Sequence, residues 1–216
     1  MRWIHGAALL ALAVTAGGAA DDKSRVLRFA KADLGKVPAG WKVERTGKGE
    51  GSAWKVVADD TAPSKSGVAL AQTAQSPSAV FNLCVAEDTS CQDTEVLVAF
   101  KAMRGEKDQG GGIVWRYQDA NNYYIARMNP LEDNYRVYKV VEGKRIQLGT
   151  KEEVKVAVGV WHMLKIKMVG DRIECFLDGK KHLEGKDGTF TGAGKVGLWT
   201  KADARTRFDQ FRARGK

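Results

Sequence analysis

Apolar and polar residues alternate with a period of two along nearly the whole chain, and this limits what it can fold into. Residues 93–103 place Val96, Val98 and Phe100 on one face, and residues 161–170 place Leu164 and Ile166 in the same way. Successive side chains of a strand point to opposite faces, so this period is typical of half-buried β-strands. No segment has a sustained helical period with caps, although residues 151–158 have a weaker helical alternative. The chain is therefore predicted to consist almost entirely of strands.

Turn residues separate these segments at intervals of about 8–12 residues. Glu142-Gly143 and Asp178-Gly179 each lie between two alternating segments, as the turn of a β-hairpin does. Ten or more short strands of this kind predict an antiparallel sandwich of two sheets. Residues 24–213 contain no linker rich in proline or serine, so we expect one domain. The first and last strands are expected to pair as neighbours.

Residues 1–20 are typical of a secretory signal peptide. Arg2 precedes a short apolar stretch, and Gly18 and Ala20 take the −3 and −1 positions before a cut at Asp21. The apolar stretch is shorter than the roughly 20 residues that cross a bilayer. We expect cleavage, and a secreted or periplasmic mature chain with no membrane span.

The chain contains three cysteines, at positions 84, 91 and 175. In an oxidising compartment, Cys84 and Cys91 are expected to form a disulfide around the polar stretch VAEDTS. Cys175 is expected to be a buried thiol. The spacing of Cys84 and Cys91, with no histidine nearby, is poor for a metal site.

The formal net charge is +9, from 35 basic and 26 acidic residues. Such a charge favours acidic partners, among them anionic polysaccharides. The basic residues are scattered among acidic ones and no recognition helix is present, so nucleic-acid binding is not expected. A mean hydropathy of −0.35 excludes a multi-span membrane protein.

Three segments resemble exported bacterial members of the concanavalin A-like lectin/glucanase superfamily: residues 110–148, 161–190 and 192–211, with the pieces W-H, G-D-R-I, L-D-G and G-x-V-G-L-W-T. The most similar members are laminin-G-like domains near the 3-keto-disaccharide hydrolases, also described as family 16 glycoside hydrolase-like. The resemblance implies an all-β jelly-roll sandwich whose concave face binds sugars. The family's opening F-x-G-x-D-L-x-G-W element survives only as Gly40-Trp41. Carbohydrate binding without catalysis is therefore the first expectation; a hydrolase or lyase acting on keto-sugars and a protein-binding adhesion module are the alternatives.

The hairpin at residues 112–128 supplies most candidate ligand-binding residues. With the turn at residues 119–122, one face is expected to hold apolar core residues, namely Ile113, Trp115, Tyr117, Tyr124, Ala126 and Met128. The other face would present Arg116, Gln118, Tyr123 and Arg127 to a groove, where arginines suit carboxylates or sugar hydroxyls. The alternative is packing of the arginines against acids such as Glu95.

Trp199 and Lys201 complete the predicted ligand-binding set, because GLWTKADA places an aromatic ring near a strand end beside polar residues. In most sandwiches such a ring belongs to the core instead.

Catalytic and metal candidates are weaker. Glycosidases need two carboxylates across a groove. Asp93 and Glu95 share a strand face, although solvated or ion-paired acids give the same pattern. Asp119, with Asn121 and Asn122, offers oxygen ligands for Ca²⁺, against the alternative of an Asx-rich turn. No other cofactor is expected.

Overall fold

The computed structural model describes residues 24–215, so the predicted signal peptide lies outside the described residues. Fifteen strands and one short 3₁₀ helix (Lys31–Asp33) make up these residues. The strands are β1 (Arg25–Leu27), β2 (Trp41–Thr46), β3 (Trp54–Ala58), β4 (Val68–Gln72), β5 (Phe81–Cys91), β6 (Thr94–Arg104), β7 (Gly111–Asp119), β8 (Asn122–Asn129), β9 (Asn134–Val141), β10 (Lys144–Glu152), β11 (His162–Val169), β12 (Arg172–Leu177), β13 (Lys180–Lys186), β14 (Gly194–Lys201) and β15 (Arg205–Gly215). The predicted strands at 93–103 and 161–170 correspond to β6 and β11. No helix within residues 24–215 has the length and apolar character that a bilayer crossing requires.

Two antiparallel sheets form the predicted sandwich. Sheet A has the order β13-β12-β11-β6-β15-β4-β3, with β1 also paired to β15; sheet B has the order β10-β9-β8-β7-β14-β5-β2. The predicted turns Glu142-Gly143 and Asp178-Gly179 connect β9 to β10 and β12 to β13. The first described strand pairs with the last, Arg25 opposite Ala213, as expected.

The main core fills the space between the sheets. Val96, Val98 and Phe100 of β6 are fully buried there, facing Trp115 from β7. Burial of each such side chain stabilises the fold by about 1.5–3 kcal/mol. The Trp115 indole N–H points at the sulfur of Met168 on the opposite sheet, 3.0 Å away.

The predicted disulfide is wrong. Cys84 and Cys91 lie on the same strand, opposite Leu198 and Gly194 of β14, which are four positions apart. This places the two Cα atoms about 13 Å apart at 3.3 Å per residue, whereas a disulfide needs less than about 7 Å. Both are free thiols, as is Cys175, and burial raises the pKa of Cys84 and Cys175.

Candidate functional site

A β-bulge in β7 decides which side chains lie on the face of sheet B that points away from sheet A. Trp115 pairs with Tyr124 and Asp119 pairs with Asn122, so residues 116–118 oppose Tyr123 alone. Arg116 has a left-handed backbone with φ of 45°. A shift in register exchanges the two faces of a strand. Tyr117 consequently leaves the predicted core face, and Arg116 leaves the predicted groove face.

Arg116 is a buried structural residue, and the prediction that it binds ligand is wrong. Its guanidinium donates three hydrogen bonds to backbone carbonyl oxygens: Gln92 at 2.8 Å, Phe190 at 2.6 Å and Gly170 at 2.7 Å. These carbonyls belong to three different loops. Because only 1% of Arg116 is exposed, its side chain has no access to a ligand in solution.

The face of sheet B that points away from sheet A is covered by a second apolar cluster. Its members are Phe81, Leu83, Val85, Val114, Tyr117, Tyr123, Ile125, Tyr138, Val140 and Trp199. Tyr123 is fully buried and Trp199 is 1% exposed, with its ring centroid 5.4 Å from that of Phe81. The predicted roles of these two residues as accessible ligand contacts are therefore wrong, since both rings are packed among neighbours.

Contacts between distant strands of sheet B close the centre of this face. Thr46 of β2 donates its hydroxyl hydrogen to the Ala120 carbonyl oxygen at 2.5 Å and lies at the same distance from the Tyr123 hydroxyl. Arg145 of β10 stacks on Tyr138, and its Cζ also lies 5.2 Å from the Phe81 ring centroid. The strongly curved sheet therefore folds over its own concave side.

Arg127 also serves the fold rather than an open groove. It is 1% exposed and donates to Asn134 Oδ1 at 3.0 Å and Glu132 Oε2 at 2.9 Å. Burial of Glu132 opposes its ionisation, but hydrogen bonds from Arg127 and Asn134 outweigh burial and lower the pKa of Glu132 to about 2. The predicted ligand-binding role of Arg127 is replaced by this ion pair.

Lys201 is half-buried and pairs with an internal carboxylate. Its Nζ lies 3.2 Å from Asp108 Oδ2, and Asn129 donates to the other Asp108 oxygen at 3.1 Å. Burial raises the pKa of Asp108. Lys201 therefore forms an ion pair with Asp108 within the fold, in place of the predicted ligand contact.

An open cleft lies on the concave side, at the end where the β7–β8 and β9–β10 turns meet. This Tyr117 cleft has a volume of about 730 Å³ and is lined by Lys42, Glu44, Val85, Glu87, Tyr117, Gln118, Asp119, Ala120, Asn121, Asn122, Glu142 and Lys195. Of the predicted ligand-binding residues, only Gln118 reaches it.

Tyr117 provides the aromatic part of the cleft. Its ring centroid lies 5.9 Å from that of Tyr123, and 8% of the residue stays exposed. Burial, together with Glu44 and Asp119, raises the pKa of Tyr117. The phenol is therefore neutral at physiological pH, and the small part of Tyr117 that stays exposed borders the cleft.

Charged and amide groups surround this ring. Lys42 pairs with Glu44 on β2, and Gln118 donates to the Ala193 carbonyl oxygen at 3.1 Å. The Asp119 carboxylate accepts the Asn121 backbone N–H at 2.7 Å and two contacts from the Asn122 amide, so it closes an Asx turn. Within residues 24–215, no group of three ligating side chains suited to a metal ion occurs.

The predicted acid pair is not in the cleft. Asp93 accepts the Gly170 backbone N–H at 2.8 Å, and Glu95 lies on the outer face of sheet A, 3.2 Å from Arg214 and 3.9 Å from Lys165. The ion pairs of Glu95 correspond to the ion-paired alternative. The structure therefore does not place Asp93 and Glu95 as an acid pair across the Tyr117 cleft.

Residues 32–214 match the family model of the 3-keto-alpha-glucoside-1,2-lyase-like domain. The chain belongs to this family. The resemblance of the three sequence segments had predicted this family. No curated protein is significantly similar in sequence.

Solved structures share the fold of this lyase-like domain. A carbohydrate-binding module, CBM66 from Bacillus subtilis, aligns with a TM-score of 0.65 and 18% identity over 86% of this chain and 99% of its own. Domain 4 of AbnA, an extracellular arabinanase from Geobacillus stearothermophilus solved with arabinotriose, aligns with a TM-score of 0.52 and 14% identity over 80% of this chain and 82% of its own. A putative glycosyl hydrolase from Parabacteroides distasonis aligns with a TM-score of 0.52 and 14% identity, covering 82% and 88% of the two chains. These similarities confirm the predicted sandwich.

Proposed function

We propose that the mature chain is an exported, non-catalytic carbohydrate-binding domain whose ligand occupies the Tyr117 cleft. The observation that carries the proposal is a neutral aromatic ring bordered by lysine, carboxylate and amide side chains. Sugar rings stack on aromatic faces, while such polar groups bind their hydroxyls; binding sites of this volume typically combine apolar surface with a few polar groups. The carbohydrate-binding module and the arabinotriose-bound domain among the structural neighbours support the same class of ligand.

Calorimetric titration of the mature protein with oligosaccharides chosen from a glycan array tests this proposal. Tyr117→Ala should abolish binding, while Tyr117→Phe should retain most of it because the ring remains. Lys195→Ala tests the rim without touching the apolar cluster, and Lys167→Ala on sheet A is the matched control for loss of a lysine. Unchanged affinity in both Tyr117→Ala and Lys195→Ala, with circular dichroism showing folded protein, would refute the site.

The family description favours a second candidate, a lyase acting on 3-keto-glucosides in the same cleft. A ketone at C3 acidifies the C2–H bond, so a carboxylate base takes that proton while the C1–O bond breaks and the leaving oxygen is protonated. Glu44 and Glu87 are the carboxylates of the cleft beside Lys42. The product carries a C1=C2 bond conjugated to the ketone, which absorbs in the ultraviolet. Its appearance with wild type and loss in Glu44→Gln or Glu87→Gln would establish catalysis, and no absorbance change with a bound 3-keto-disaccharide would exclude it.

A further inference from the structure

The outer face of sheet A carries two consecutive cross-strand pairs of cations on β6 and β15. Arg207 lies opposite Lys101, and Arg205 lies opposite Arg104. Directly opposed residues share a face with Cβ atoms about 5 Å apart, and like charges there destabilise a sheet. An anion between the two cations of a pair would offset this repulsion, and the pair Arg205–Arg104 follows a bulge in the ladder.

The chain supplies that anion for the first pair. Asp59 Oδ2 lies 2.5 Å from Lys101 Nζ and 2.9 Å from Arg207 Nη1, with 2% of the aspartate side chain exposed. Burial opposes ionisation of this carboxyl, but the hydrogen bond from Lys101, with those from Thr61 and Arg207, lowers its pKa well below the usual range. A single carboxylate thus bridges two opposed cations on this face.

The second pair has no such bridge. Neither Arg104 nor Arg205 forms an ion pair with a carboxylate of residues 24–215. The nearby Asp203 carboxylate is already engaged, accepting the backbone N–H groups of Glu106, Lys107 and Asp108 at 2.9, 3.1 and 3.1 Å. Both arginines border two adjoining open cavities, of about 310 and 570 Å³.

We propose that Arg104 and Arg205 bind the oxyanion of an acidic saccharide, a uronate carboxylate or a sulfate ester. The planar guanidinium group matches such oxyanions with two parallel hydrogen bonds. Val57 and Met103 line the smaller cavity and give a sugar ring an apolar wall. The ligand's oxyanion takes the place that Asp59 occupies in the neighbouring pair. This site lies on sheet A and does not depend on the Tyr117 cleft of sheet B.

Calorimetric titration of the mature protein with trigalacturonate tests this proposal. Maltotriose is the uncharged comparison, and inorganic sulfate and a short single-stranded DNA are the other sources of anions. Wild type should bind trigalacturonate, more weakly at higher salt. Arg104→Ala and Arg205→Ala should each lower affinity by about tenfold or more, because a charge-assisted pair is lost. Arg25→Ala, which removes the same charge from β1, is the matched control.

Thermal stability separates a ligand site from a structural role. Without ligand, Arg104→Ala should have an unchanged or higher Tm, since it relieves repulsion, and binding of a neutral sugar in the Tyr117 cleft should be unaffected. A lower Tm in both arginine variants would overturn the proposal. The proposal would also be overturned if wild type did not bind trigalacturonate or bound maltotriose with equal affinity. It would fail likewise if Arg25→Ala lost as much trigalacturonate affinity as the two variants, or if only sulfate or DNA bound in a way that depends on Arg104 and Arg205.

Discussion

Arg116 is predicted to hold the loops of the sandwich together, and Arg116→Met tests this directly. The methionine keeps much of the aliphatic side chain but removes donors that satisfy three carbonyl oxygens in three loops. Hydrogen bonds to a charged group contribute about 1.5–3 kcal/mol each, while the cation's own desolvation opposes them. Each carbonyl oxygen left without a partner costs about 1–3 kcal/mol. After the opposing desolvation of the guanidinium is subtracted, we expect the free energy of unfolding to fall by about 3–5 kcal/mol.

Urea denaturation followed by tryptophan fluorescence measures this loss. If the free energy of unfolding falls by about 2.5 kcal/mol per molar urea, the urea concentration at the unfolding midpoint should decrease by about 1–2 M. Arg116→Lys should rescue little, since one ammonium group cannot reach three carbonyls at separate positions. Arg25→Met, on exposed β1, should change stability by less than about 0.5 kcal/mol.

A loss below about 1 kcal/mol in Arg116→Met, with an unchanged slope, would refute the structural role. If sugar affinity fell at unchanged stability, the original prediction of Arg116 as a ligand contact would be restored.

Three further outcomes follow from buried and titrating groups. Gln72 is 1% exposed, and neither polar atom of its side-chain amide has a hydrogen-bond partner. Gln72→Met should therefore raise the free energy of unfolding by about 1 kcal/mol in the same urea assay. A lower free energy of unfolding would show that the amide does form hydrogen bonds. Thiol titration of unfolded, unreduced protein should detect every cysteine, because Cys84 and Cys91 are too far apart to pair; a deficit of two thiols would contradict the strand geometry. The pKa of Glu132 is lowered to about 2 from its unfolded value of 4.5, so its stabilising contribution is complete above about pH 5 and is lost as pH falls toward 2. Glu132→Gln should therefore flatten the acid limb of a stability–pH curve, and an unchanged acid limb would refute its pairing with Arg127.

Alternation with a period of two was enough to locate most strands, because each strand of sheet A buries one face against the core. β6 and β11 and the Gly143 and Gly179 turns were found this way. The number of strands and the spacing of their turns predicted the two-sheet sandwich, and the resemblance predicted the family. Residues 153–161, by contrast, form a loop although their valines alternate; Val154 alone of these is fully packed.

The site could not be placed from the sequence, because a bulge reverses the faces of β7 at the point that matters. Nothing in the letters WRYQD shows that residues 116–118 oppose one residue, so Tyr117 was assigned to the core and Arg116 to a groove. Burial of Trp199 and Tyr123 depends on contacts between β2, β8 and β10, which are far apart along the chain. Lys42 and Glu44 were missed, although their alternation with Trp41 and Val43 places them on the face opposite the core.

Sheet B is buried on both faces in its central strands, and this governs the thermodynamics of any ligand in the Tyr117 cleft. Backbone amides of β7, β8 and β14 are enclosed by two apolar clusters, so their hydrogen exchange should require global unfolding. A ligand that settles on the end of such a sheet meets walls that are already ordered. Little conformational entropy is then lost on binding, and the exchange rates of these strands should change only by the amount that the ligand adds to global stability.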